Sequence, residues 1–147
     1  MLKIPQQLKE KLVKELKFIA TSMAAEADLS KKIYFYSGVF GALERVMRYH
    51  LDKELLIAHA LTSISYTTIN DRLNHLKMGD TVVPMPQNVM DQLTESISEL
   101  RQAIQEDRET YPVLEKIAEI TYSTTGPGFY TQSFLAYAQA HQGGQEE

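Results

Sequence analysis

The stretch "RVMRYH" places the Arg45 guanidinium and the His50 imidazole five positions apart. That combination can hold a phosphate and move a proton, the two requirements of RNA cleavage. On an unbroken helix, five steps of roughly 100° leave the two side chains about 140° apart, so they converge only across a dimer or beside a helix end. A second concentration of chemistry runs from His59 to Asn70, where Thr62, Ser63, Ser65, Tyr66, Thr67, Thr68 and Asn70 crowd hydroxyl and amide groups into one segment. His59, Thr62 and Tyr66 are the candidates to line a small-ligand pocket there. The competing role for these hydroxyls is to bond backbone carbonyls one turn back.

Other chemistries lack their parts. The chain has no cysteine, which removes disulfides, thiolate nucleophiles and cysteine-ligated zinc or iron–sulfur centres. The four histidines, His50, His59, His75 and His141, match neither the Glu-x-x-His repeats of di-metal bundles nor the His-Glu-x-x-His of zinc hydrolases, so no metal is expected. Gly38 and Gly41 stand inside a helical pattern without a lysine or a preceding strand, which rules out a phosphate loop or a dinucleotide turn. No Gly-x-Ser-x-Gly elbow occurs. No cofactor is implied.

The elements that would position these groups are helices almost throughout. Leu8, Leu12, Leu16, Ile19 and Met23 recur at three and four positions after Pro5, predicting a helix to about Ala27. Ser30 is the expected N-cap of a second helix carrying two adjacent apolar stripes: Phe35, Val39, Ala42, Val46 and Tyr49, then Tyr36, Phe40, Leu43, Met47 and His50. A break near Asp52 separates it from a third, which runs to Lys77 with Gly79 as its C-terminal cap. "DTVVPMPQ" reads as extended, because Pro84 and Pro86 lack amide donors. Asn88 marks a fourth start, with Met90, Leu93, Ile97, Leu100 and Ile104 as its seam. Pro112 opens a fifth, whose face includes Val113, Leu114, Ile117, Ile120 and Tyr122; "STTGPG" ends it as a hinge. Phe134, Leu135 and Tyr137 sit on a short last helix, and residues 143–147 should fray.

The fold class expected is therefore all-α: one domain over residues 1–147, an up-and-down antiparallel bundle of four to five helices plus a short C-terminal helix. At 147 residues the chain can bury a full core. It has no stretch approaching the roughly 20 apolar residues of a membrane span and no secretory leader pattern, which points to the cytoplasm.

Charge is uneven. Residues 1–32 hold seven lysines against four acids, while residues 80–147 hold three basic groups against eleven acids. The lysines alternate with glutamates on a solvated helix face, which does not favour nucleic acid as a partner.

In an all-helical chain of this size, the Arg-x-x-x-x-His spacing of Arg45 and His50 resembles the signature of the HEPN superfamily. Its members are helical bundles that often dimerise and often cleave RNA. The resemblance covers those two residues and implies Arg45 as the phosphate contact and His50 as the acid or base acting on the ribose hydroxyl. The residues favour a different function. Helical surfaces are well represented and catalytic constellations are not, so a non-enzymatic protein acting through self-association or a protein partner is expected. Tyr34, Gly38 and Gly41 mark the interface: the second helix is apolar around a wide arc, and the two glycines open a close-approach face beside it, so a homodimer is the expected assembly.

Overall fold

The computed structural model describes residues 1–77, 86–124 and 139. Among these residues there are five helices and no strand: α1 (Gln6–Ala25), α2 (Leu29–Met47), α3 (Lys53–Lys77), α4 (Pro86–Gln105) and α5 (Tyr111–Ser123). The fold is all-α, a helical bundle. Going round it, α1 packs between α2 and α4, α2 meets α3, and α5 closes the ring between α3 and α4. Connections of three residues (26–28) and five residues (48–52 and 106–110) turn α2 back on α1, α3 on α2 and α5 on α4. α3 and α5 run parallel: Glu54 meets Thr110, Ser65 meets Thr121 and Arg72 meets Thr124, in the same order along both helices.

One hydrophobic cluster draws on all five helices. The seams read from periodicity supply it: Leu12, Leu16 and Met23 of α1 and Met90, Leu93, Ile97 and Leu100 of α4 are fully buried. Each such side chain contributes about 1.5–3 kcal/mol. α2 is buried along Ile33, Tyr36, Val39, Ala42, Leu43 and Val46, the arc shared by its two stripes.

Several local expectations are corrected. α2 starts one residue before Ser30: Asp28 is the cap, in extended backbone, and its carboxylate accepts from the Ser30 amide at 2.9 Å. α2 stops at Met47, so Tyr49 and His50 leave the apolar stripes and stand exposed. α4 begins at Pro86 rather than Asn88, because a proline without an amide proton suits a helix's first turn. Tyr122 is on the outer side of α5. The break near Asp52 is present, and the Asp52 carboxylate caps α3 by accepting from the Leu55 amide at 3.0 Å. After α4, Asp107 takes a left-handed φ of 56°, and the Arg108 amide reaches back to the Ala103 carbonyl at 2.8 Å to close the helix end. Gly79, the extended segment to Met85, the "TGPG" hinge and the apolar residues of the terminal helix lie outside the described residues.

A candidate interaction groove between the first two helices

On α1, the core seam leaves Phe18 off its line, and 67% of that residue is exposed. On α2, Tyr34 is 70% exposed, and Tyr49 just past the helix end is 80% exposed. These three aromatics border two adjoining hollows that run between α1 and α2. One, of about 550 Å³, is lined by Phe18, Ile19, Tyr34, Phe35 and Gly38, with Lys14 on its rim. The other, of about 380 Å³, is lined by Leu8, Leu12, Val46 and Tyr49, with Lys11 on its rim. Glu15 and Arg45 border both, and Arg45 Nη2 donates to Glu15 Oε1 at 3.1 Å across the boundary. Both partners are substantially exposed, so the pair adds little to stability and its charges remain open to a ligand or partner.

The two glycines do different work. A Cβ on Gly38 would stand 3.1 Å from Ile19 Cδ1, so its missing side chain lets α1 and α2 approach closely. A Cβ on Gly41 would meet only Arg45 Nη1 at 3.6 Å, an ordinary contact, which leaves the outer side of α2 open. Tyr34 and Gly41 are seven positions apart, two helical turns, and lie on one row of the α2 surface. Tyr34 also packs edge-on to Phe35, with ring centres 6.0 Å apart.

The other candidate groups fall elsewhere. Arg45 is held by Glu15, while His50 lies beyond the end of α2, exposed, with its amide bonded to the Val46 carbonyl. His59 and Tyr66 are half-buried against the Phe40 ring, at 6.3 and 5.6 Å between centres. Thr62 is fully buried and its hydroxyl donates to the Ala58 carbonyl at 2.8 Å; Thr67 bonds Ser63 in the same way. These hydroxyls are occupied by their own helix, and neither hollow of the groove reaches them. Among the described residues, no group of three or more histidines and carboxylates is placed to hold a metal.

Some buried polar groups had no sequence signal. Lys32, only 4% exposed, donates from Nζ to the Met23 carbonyl at 2.6 Å, a carbonyl at the end of α1 that also accepts from the Glu26 amide at 3.4 Å. Ser65 Oγ and Thr121 Oγ1 are 2.6 Å apart, and Thr121 donates to the Ile117 carbonyl, so Ser65 must be the donor between them. Burial drives the Tyr36 hydroxyl pKa far up. At the opposite end, the buried Glu54 carboxylate accepts from the Thr110 amide at 3.0 Å and hydroxyl at 2.7 Å, and lies 3.0 Å from the Met1 amine.

Fold and groove together define an all-α bundle with a two-part, aromatic-edged groove along its first helix pair. Comparison with protein-family models, with curated proteins and with solved structures finds no match. Among the described residues, no helix is long and apolar enough to cross a membrane.

Proposed function

We propose that the protein acts by association through the α1/α2 face, as a homodimer, rather than by catalysis. A cytoplasmic site of action is part of the same proposal. The observation that carries it is the exposure of Phe18, Tyr34 and Tyr49 around one groove. Aromatic side chains bury roughly 150–250 Å² each and dominate interface energetics. Six of them, three per chain and each 67–80% exposed, would remove roughly 650–1,100 Å² from water, about half of the roughly 1,200–2,000 Å² of a stable interface.

Gly41 suits the crossing point of a two-fold interface, because nothing on it prevents close approach. With the two α2 helices antiparallel there, Arg48, seven positions beyond Gly41, comes against the partner's Tyr34, seven positions before it. A guanidinium over a phenol ring is a favourable cation–π contact. Gly41→Glu is the direct test, since the open surroundings accept the side chain within a protomer while bulk and charge enter the crossing. In size-exclusion chromatography the variant should elute as a folded monomer and the wild type as a dimer. Equal elution of the two proteins would remove the α2 crossing at Gly41 from the interface.

A further inference from the structure

α3 is apolar on two faces. Its inner side gives Leu55, Ala58, Ile69 and Leu73 to the core. Its outer side carries Leu56, Ile57, Ala60 and Ile64 along one stripe, with Leu56 at 46% and Ile64 at 62% exposure. No Asp, Glu, Lys or Arg occurs between Leu55 and Asn70, so this helix lacks the charged outer face by which a solvated helix is kept in water.

The end of α5 is fastened beside this helix, where Arg72 Nε donates to the Thr124 carbonyl at 2.7 Å. Beyond Thr124 the chain has 23 further residues. They begin Thr-Gly-Pro-Gly and then carry Phe129, Tyr130, Phe134, Leu135 and Tyr137, with no Asp, Glu, Lys or Arg before Glu146. Within them Gln139 is helical and exposed.

We propose that the C-terminal segment, residues 129–140, docks on the outer stripe of α3 within the same chain. The lengths agree. From the level of Arg72, Ile64 lies about 12 Å and Leu56 about 24 Å along α3, at 1.5 Å per residue. Four linker residues reach about 13 Å, and twelve residues as a helix span roughly 18 Å, so Phe134 can stand at Ile64 and the following turns at Leu56. Two glycines around Pro127 permit the reversal of direction this needs. An uncharged segment suits an uncharged face, and tethering gives it a millimolar effective concentration that a second chain matches only in concentrated solution.

The chain has no tryptophan, so Phe134→Trp provides a single fluorescent reporter in the full-length protein. Its emission should be blue-shifted from that of the urea-unfolded chain, independent of protein concentration, and should move to the unfolded position when Ile64→Glu is added. Ile64 is exposed, so the added glutamate leaves the core intact, which far-UV circular dichroism checks. Emission at the unfolded position without Ile64→Glu would overturn the proposal. A blue shift indifferent to Ile64→Glu would overturn it too, by placing the segment elsewhere. A shift that grows with concentration would likewise overturn it, by assigning the stripe to a second copy.

Discussion

Removing the Glu54 carboxylate tests how the N-terminal segment, α3 and α5 are joined. Glu54 is 5% exposed and accepts from both the amide and the hydroxyl of Thr110. Hydrogen bonds to a charged group are worth about 1.5–3 kcal/mol, and a buried donor left unpartnered costs about 1–3 kcal/mol. Glu54→Ala strands both Thr110 donors and should lower stability by about 3 kcal/mol, or roughly 6–12 °C in Tm for a chain this long. Glu54→Gln keeps an acceptor but loses the charge facing the Met1 amine, and should cost about half as much. Burial raises the Glu54 pKa, but hydrogen bonds from Thr110 and the Met1 amine outweigh it, and the group ends below its ordinary value of 4.5. A carboxyl depressed on folding stabilises the native state fully above the unfolded value and loses that contribution as pH falls through the folded value. The gap between wild type and Glu54→Gln should thus be full at neutral pH and close in acid below 4.5. Urea denaturation followed by circular dichroism measures both. A Glu54→Ala protein within about 0.5 kcal/mol of wild type at neutral pH, or a Glu54→Gln gap unchanged in acid, would refute the reasoning.

Gly41→Ala should stabilise the protomer by about 0.5–1 kcal/mol, the ordinary gain of alanine over glycine inside a helix, whereas Gly38→Ala should gain less or lose, because its Cβ presses on Ile19. Denaturant midpoints compare the two at a concentration low enough to hold the protein monomeric, and an equal gain at both positions would contradict the close approach of α1 and α2. Asp28→Ala removes the α2 cap and should cost about 1 kcal/mol, while Ser30→Ala, which keeps the bonded amide, should cost less; the reverse order in thermal melts would restore Ser30 as the cap. Lys32→Met keeps an apolar stem but removes the shorter of the two hydrogen bonds to the Met23 carbonyl, so Tm should fall; an unchanged Tm would mean that the Glu26 amide suffices for that carbonyl.

The bundle was legible in the sequence because its seams are strictly periodic. Leu12, Leu16, Met23, Leu93, Ile97 and Leu100 are buried where their spacing puts them. Helix ends were less legible, since Asp28 and Ser30 are both good caps and only backbone geometry decides between them. Tyr49 and His50 were misplaced for a related reason: a periodic pattern continues on paper past Met47, where the helix has stopped. Of the groove, Tyr34 and Gly38 could be read from helical spacing, but Phe18 could not, and Gly41 lines neither hollow. A side chain off the seam of one helix becomes part of a site only when a second helix lies beside it, and spacing within α1 carries no record of α2. The pairing of Glu54 with Thr110 bridges 56 positions and has no local signature at all.

The central claim, that this bundle associates through the α1/α2 face, is tested most directly by sedimentation velocity of the wild-type protein across a concentration series at low and at moderate salt. An interface built on Phe18, Tyr34 and Tyr49 buries mostly apolar area, so the dimer should persist at tens of micromolar in both, even where salt shortens electrostatic reach to about 8 Å. Dimers at low salt that dissociate at moderate salt would assign the association to the basic front and acidic rear of the chain instead of the groove. A monomer at tens of micromolar in both conditions would contradict the claim outright, leaving Gly38 as a packing residue between α1 and α2.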